Sequence, residues 1–223
     1  MTPTLGAIIL AAGAGKRLGN LPKCLIRANG QTLLHRLLDA LESLRPHEVV
    51  LVLGDHASAI EQALRERPAS ARVNVVHNLV QDEDPASSLH TGLRQLHASV
   101  DTVVVLLADQ PLLDADDLSQ AVQAFLLRAP GQRAMLPCVS GQPGHPVVME
   151  RSVARELLNG GIGLRHWRTQ HPTTVALWNT RNTHYTCDLD TPGDLEYLRQ
   201  LTGWHWQLPA AAHARSLPGD SSG

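Results

Sequence analysis

Lys16 and Lys23 are the only lysines in the chain, and both fall in LAAGAGKRLGNLPK at residues 10–23. Gly13, Gly15 and Gly19 flank them. Small residues let backbone amides approach an anion, and Lys16, Arg17 and Lys23 can offset phosphate charge, so the spacing suggests a phosphate-holding loop. The competing reading is a tight turn with solvated basic residues. Two familiar glycine patterns do not fit. A P-loop requires Ser or Thr after its lysine, where Arg17 stands, and the spacing from Gly13 also fails. A dinucleotide fingerprint requires glycine at the position of Leu18, and its partner acid, Asp39, falls inside a helical pattern.

Asp109 is the second centre, in LADQP, directly after the most apolar run of the chain. A carboxylate there is held by a rigid element while its charge faces a cleft. Opposite a triphosphate it repels, unless a divalent cation lies between them. The third centre is CDLDTPGDLEYL at 187–198. Thr191 can cap a helix that begins at Pro192, with Asp194 in its first turn. Capping does not explain the two acids ahead of it. Asp188 and Asp190 are expected to point in opposite directions, so Asp109 with Asp190 forms the expected magnesium pair and Asp188 is an additional candidate. Oxygen ligands favour magnesium over zinc, and the twelve histidines are dispersed without HExxH or a Cys/His zinc spacing. His145, in SGQPGHP at 140–146, has few core-packing alternatives among its glycines and prolines and reads as an acceptor-site or loop-ordering residue. No serine occupies a GxSxG elbow.

The elements that must position these groups alternate along the chain. Ile8, Ile9 and Leu10 form a strand that feeds the glycine loop. Leu33, Leu34, Leu37, Leu38, Leu41 and Leu44 recur at helical spacing. Strands are expected at 49–53 and 73–76, and helices at 57–67 and 86–97. The run at 102–108 reads as a parallel strand covered on both faces, followed by a helix capped by Asp114. Residues 134–180 read as less regular, with short strands near 134–137, 146–149 and 173–178, and a late helix spans 195–201. This order implies a three-layer α/β fold with a predominantly parallel mixed sheet. In such sheets ligands collect beyond the carboxyl ends of strands, where the glycine loop and Asp109 lie.

With 223 residues and 43% hydrophobic composition, the chain can bury one sizeable core. Residues 1–203 are expected to form one domain and 204–223 an extension, tacked by Trp204 and Trp206 onto the body or onto a partner subunit and disordered after 209. A formal net charge of -2 argues against a nonspecific nucleic-acid or anionic-membrane binder. The N-terminus lacks a signal-peptide pattern and no uncharged apolar run reaches spanning length, so the cytoplasm is the expected location. Cys24, Cys138 and Cys187 are too scattered for a disulfide framework or a four-cysteine metal site.

LAAGAGKRLG at 10–19 with Lys23, SSLHTGL at 87–93, LADQP at 107–111, GQPGHPVVM at 141–149 and DLDTPGDL at 188–195 together resemble the MobA-like nucleotidyltransferases. The likeness covers roughly residues 6–201, and Ala12 in LAAG is most similar to the molybdenum-cofactor cytidylyltransferase branch. The resemblance implies a Rossmann-like nucleotidyltransferase fold. It also implies Mg2+-dependent transfer of CMP from CTP to a molybdopterin-type phosphate, with a molybdoenzyme or its maturation chaperone as a further partner. Leu10, Ala11, Ala12, Gly13, Ala14, Gly15 and Lys16 would surround the nucleotide with Arg17 and Lys23, and Arg17, Lys23 and Asp109 would be catalytic. Ser87 and Ser88 would meet base or ribose. Asp109 and Asp190 would hold the metal, with Asp188 sharing ligation or lying just behind it. Gly144, His145 and Arg165 would face the acceptor. Two alternatives are a nucleotidyltransferase for a sugar phosphate or other small metabolite, and a noncatalytic nucleotide-binding or cofactor-chaperone protein. The latter draws on GGIGLRHWR at 160–168, where Gly161 replaces an acid common in the family.

Overall fold

The structure is a computed structural model and describes residues 3–66, 73–80 and 85–209. β1 (Leu5–Ala11) leads into the glycine loop, and β2 (Arg27–Ala28) and β3 (Gln31–Thr32) form a short hairpin before α1 (Leu33–Glu42). β4 (Glu48–Leu53), α2 (Ala57–Arg65), β5 (Val73–His77), α3 (Pro85–Gln95) and β6 (Thr102–Leu107) then alternate. α4 (Ala115–Leu126) precedes β7 (Ala134–Val139), β8 (Gln142–Pro143) and β9 (Val147–Glu150). The chain continues through α5 (Arg151–Gly160), α6 (Leu164–Gln170), β10 (Val175–Thr180), α7 (Pro192–Thr202) and β11 (Trp206–Gln207).

Alternation along the central strands makes the three layers. Ile9, Leu51, Leu53, Val104 and Leu106 pack toward α1 and α4, against Leu34, Leu38, Leu118 and Phe125. Their neighbours Ile8, Val50, Val52, Val103 and Val105 face the other way, against Leu89, Leu93, Val153, Leu157 and Trp167. Residues two apart share a face, so a continuous apolar run fills both sides of a covered sheet. Each such buried aliphatic side chain contributes roughly 1.5–3 kcal/mol relative to exposure.

The large sheet has the order β10-β7-β9-β6-β1-β4-β5, with β8 paired to β7. β1 is parallel to β4 and β6, β4 to β5, and β10 to β7. β9 runs antiparallel to both β6 and β7. The sheet is therefore mixed and mostly parallel. Connections leave β1 toward β4 on one side and return to β6 on the other, which opens a crevice at the carboxyl ends of β1 and β6.

Several local expectations change. The stretch 134–180 contains two helices, α5 and α6, and a fourth strand, β8, besides the three expected strands. Val153, Ala154 and Leu157 give α5 a buried stripe at helical spacing. β2, β3 and β11 form a separate three-stranded sheet, with two-residue strands too short for period-two alternation to mark. Trp206 is buried within it, and the Arg36 guanidinium lies 4.2 Å above the Trp204 ring, so both tryptophans hold the last segment to the body. The expectation of disorder beyond 209 lies outside the described residues. Among the described residues, no helix is long and apolar enough to cross a membrane.

Candidate active site

A cleft of about 850 Å3 lies over the carboxyl ends of the central strands. Of the sequence candidates, Leu10, Ala12, Gly13, Ala14, Gly15, Lys16, Arg17, Lys23, Ser88, Asp109 and Asp190 line it. Ala11, Ser87, Asp188, Gly144, His145 and Arg165 do not line it.

The glycine loop is held by backbone approaches that side chains would block. Gly15 has φ +65, and a Cβ there would sit 2.0 Å from the Leu21 carbonyl oxygen. The Gly15 carbonyl accepts hydrogen bonds from Leu18 N at 2.9 Å and Asn20 N at 3.0 Å, closing the turn that carries Lys16 and Arg17. From the next strand, a Cβ on Gly54 would lie 2.5 Å from the Ala12 oxygen, and His56 Nε2 donates to Ala14 O at 3.1 Å.

Charged groups distant in sequence meet beside this loop. Lys23 Nζ donates to Asp109 Oδ2 and Asp190 Oδ1, each at 2.5 Å. Arg17 Nη2 donates to Asp190 Oδ2 at 2.8 Å. Asp109 follows the end of β6, and its carbonyl accepts from Leu189 N at 2.9 Å, which docks the 188–190 segment on that strand end. Asp190 is fixed from behind, because its own backbone N donates to Asp194 Oδ2 at 3.0 Å in the capping box of α7. Burial opposes the Lys23 charge, but the Asp109 carboxylate and hydrogen bonds to Asp109 and Asp190 outweigh it and raise the ammonium's pKa above the ordinary lysine value.

The expectation that Asp188 and Asp190 point in opposite directions is corrected. Leu189 between them is fully buried, while both carboxylates belong to one electrostatic cluster with Asp109. Residues two apart in an extended segment share a side. Asp188 accepts from Gln110 Nε2 at 3.0 Å, and Gln110 is buried and also donates to Tyr185 O. Surrounding protein, then the Asp109 carboxylate, push the Asp188 carboxyl up to about 6, although Gln110 and Lys23 pull it down. Two carboxylates thus share one partly buried ammonium beside an exposed guanidinium, with the Asp188 carboxylate in the same field. That excess of negative oxygen donors fits a hard divalent cation such as magnesium.

Among the described residues, a different group, Asp114, Asp117 and His184, also gathers oxygen and nitrogen donors. There the Asp117 carboxylate already accepts from Asn182 Nδ2, His184 Nδ1 and the Asp114 backbone N. Those bonds close α4 onto the turn at Thr183–Thr186, and we read the group as structural.

Ser87 and Ser88 stand in the first turns of α3, and Asn78 Nδ2 donates to both hydroxyls at 2.9 Å. Asn78 lines the cleft with Gly54, Asp55 and Val80, none of which the sequence motifs single out. Gly54 directly follows β4 and Asn78 directly follows β5, so the strand-end rule that pointed to Asp109 applies to them as well. His145 is half-buried. Burial holds its imidazole down at about 4, against the opposing pull of Asp109, so the ring is neutral at neutral pH. Gly144 is buried against Tyr185, where a Cβ would lie 2.0 Å from the carbonyl oxygen, so it shapes the loop. Arg165 is exposed on α6. Cys24 is buried, and burial followed by Asp109 pushes its thiol up to about 12, as expected of an inert thiol.

Comparisons with known proteins bear on the family and the fold. The "Nicotine blue oxidoreductase" of Paenarthrobacter nicotinovorans is 29% identical over 202 residues, covering 85% of this chain and 93% of that protein. The crystal structure of Rv0371c from Mycobacterium tuberculosis H37Rv is similar with a TM-score of 0.72 and 26% identity, covering 90% of this chain and 100% of that one. Molybdopterin-guanine dinucleotide biosynthesis protein A from Archaeoglobus fulgidus shares the fold, with a TM-score of 0.62 and 19% identity over 89% of this chain and 98% of that one. The chain also matches bifunctional curated relatives but spans only 25–33% of their length. Residues 7–175 match the MobA-like NTP transferase domain, and the chain belongs to that family.

Proposed function

We propose that the chain is a magnesium-dependent cytidylyltransferase that moves CMP from CTP to the terminal phosphate of a molybdopterin-type cofactor. The observation that carries this reading is the meeting of Lys23, Asp109 and Asp190 beside the glycine loop, in one cleft at the sheet's switch point. A phosphate oxygen of the acceptor attacks the α-phosphorus of CTP, forming the new P–O bond as the α–β bridge breaks and pyrophosphate leaves. The nucleophile is largely anionic near neutral pH, so no strong protein base is required. Lys23, Arg17 and the amides of residues 12–15 stabilise charge on the transferred and leaving phosphates. Magnesium held by Asp109 and Asp190, with Asp188 close by, would supply charge neutralisation and alignment of the phosphates. Ser87 and Ser88, oriented by Asn78, take base or ribose. On the acceptor side, a neutral His145 serves as a hydrogen-bonding group, and Arg165 supplies positive charge. The LAAG form of the loop supports cytidylyl over guanylyl transfer, and the Archaeoglobus neighbour's name supports the pterin acceptor. Delivery of the product to a molybdoenzyme or its chaperone follows from the same reading.

The test is a magnesium reaction comparing CTP, GTP, ATP and UTP with purified pterin acceptor. A product with the mass of a cytosine dinucleotide, with equimolar pyrophosphate, is expected. Turnover only with a sugar phosphate, or nucleotide binding without turnover, contradicts it. A second reading is favoured by the oxidoreductase name of the relative that aligns over most of both chains. It is an oxidoreductase that uses the same cleft. Oxidation or reduction of a small-molecule substrate, without pyrophosphate release from CTP, would establish that reading instead.

A further inference from the structure

We propose that the Lys23 ammonium occupies, in the ligand-free protein, the place between Asp109 and Asp190 that a divalent cation takes during turnover. The site would then accept the cation as its complex with a polyphosphate and discriminate against the free ion. This rests on the reading of Asp109 and Asp190 as cation ligands.

The distances place one cation on two carboxylates. Nζ lies 2.5 Å from an oxygen of each, although the partners are 86 and 167 residues away in sequence. The Lys23 side chain is 16% exposed, and those of Asp109 and Asp190 are 23% and 31% exposed. At this depth, charges are screened less than on an open surface. A free divalent ion would have to break both charge-assisted bonds and leave a partly buried ammonium beside a dication. Both consequences oppose its entry.

A bound triphosphate changes the balance. Lys23 lines the same cleft as Gly13, Gly15 and Arg17, so phosphate held by that loop offers the ammonium a second anionic partner. Its flexible four-carbon stem can turn toward the phosphates while the backbone stays in place. That backbone is anchored, because the short turn Lys23–Leu25 buries Cys24 and Ile26 N donates to Lys23 O at 3.0 Å. Once the ammonium moves, Asp109 and Asp190 are released to the incoming cation. Cation and polyphosphate therefore strengthen each other's binding beyond their own pairing in solution.

Free Mn2+, counted by electron paramagnetic resonance, serves as the probe for the native chain, Lys23→Met, Lys23→Gln and Lys23→Arg. Circular dichroism establishes that each variant is folded. Removing the charge should tighten binding of Mn2+ alone by about tenfold or more, given the strength of a unit charge at contact in a partly buried site. Lys23→Arg, which keeps the charge, should bind free Mn2+ no better than the native chain. Adding Asp109→Asn to the Met variant should remove the gain. If neither Met nor Gln tightens Mn2+ binding, while Asp109→Asn still weakens Mn2+ uptake with a noncleavable CTP analogue, the placeholder role is overturned and the cation ligands stand. If Asp109→Asn and Asp190→Asn both leave that uptake unchanged, the ligand assignment falls as well.

Discussion

Lys23→Ala removes a charge-assisted contact of about 1.5–3 kcal/mol if the ammonium meets phosphate in the transition state. That corresponds to a loss of roughly 10- to 100-fold in kcat/KM, measured by pyrophosphate release, and a near-native rate would contradict the assignment. Asp188 provides a pH test. Its carboxyl titrates at about 6 in the folded chain against 3.8 ordinarily. Below the lower value both folded and unfolded states hold the proton, so the group contributes nothing. Between the two values the unfolded chain alone ionises, and stability falls as pH rises; above 6 the full cost persists. Asp188→Asn should therefore raise Tm at pH 7.5 and leave it almost unchanged below pH 4. Solvent mutes the contribution at this exposed carboxyl, and a shift of the same size at both pH values would count against an ionisation cost as its origin. The glycine loop and Asp109 were legible as residues because chemistry and strand context coincide there. The Lys23 pairing was not, since a side chain's partner across 86 or 167 residues leaves no local pattern.

Elements place these groups with little tolerance. Gly15→Ala would put a Cβ 2.0 Å from Leu21 O in a left-handed backbone position, so the loop must shift. A cost of about 1–3 kcal/mol is expected, seen as a lower Tm together with weaker CTP binding by calorimetry. Unchanged values for both would show that the loop does not need this turn. Strands β1, β4 and β6 could be read from their apolar runs because both faces are buried. α4 and α7 could be read from their caps, Asp114 and Thr191, which the structure shows accepting from Asp117 N and Asp194 N. α5 was hidden by an expectation of irregular chain, although Val153, Ala154 and Leu157 carried the helical period. β2, β3 and β11 exist through pairing with one another, which short-range sequence does not encode.

At the scale of the whole molecule, the parallel strands β1, β4, β5 and β6 bring loops from four strand ends over one crevice. The three-layer order followed from alternating strands and helices, whereas the position of β9 between β6 and β7 required the fold itself. A ligand that binds across this crevice stabilises the native state by mass action. CTP with Mg2+ at about 100 times its Kd should add roughly 2.7 kcal/mol, read as a Tm increase larger than the sum of what the two ligands give separately. An additive response would indicate independent sites.

Label transfer from CTP tests nucleotidyl transfer at this cleft most directly. With Mg2+ and the pterin acceptor, the α-phosphate label of CTP should appear in the acceptor product and the γ-phosphate label in pyrophosphate, with both transfers abolished in Asp109→Asn. Retention of both labels in CTP, or movement of the γ label to the acceptor, would contradict the proposed chemistry.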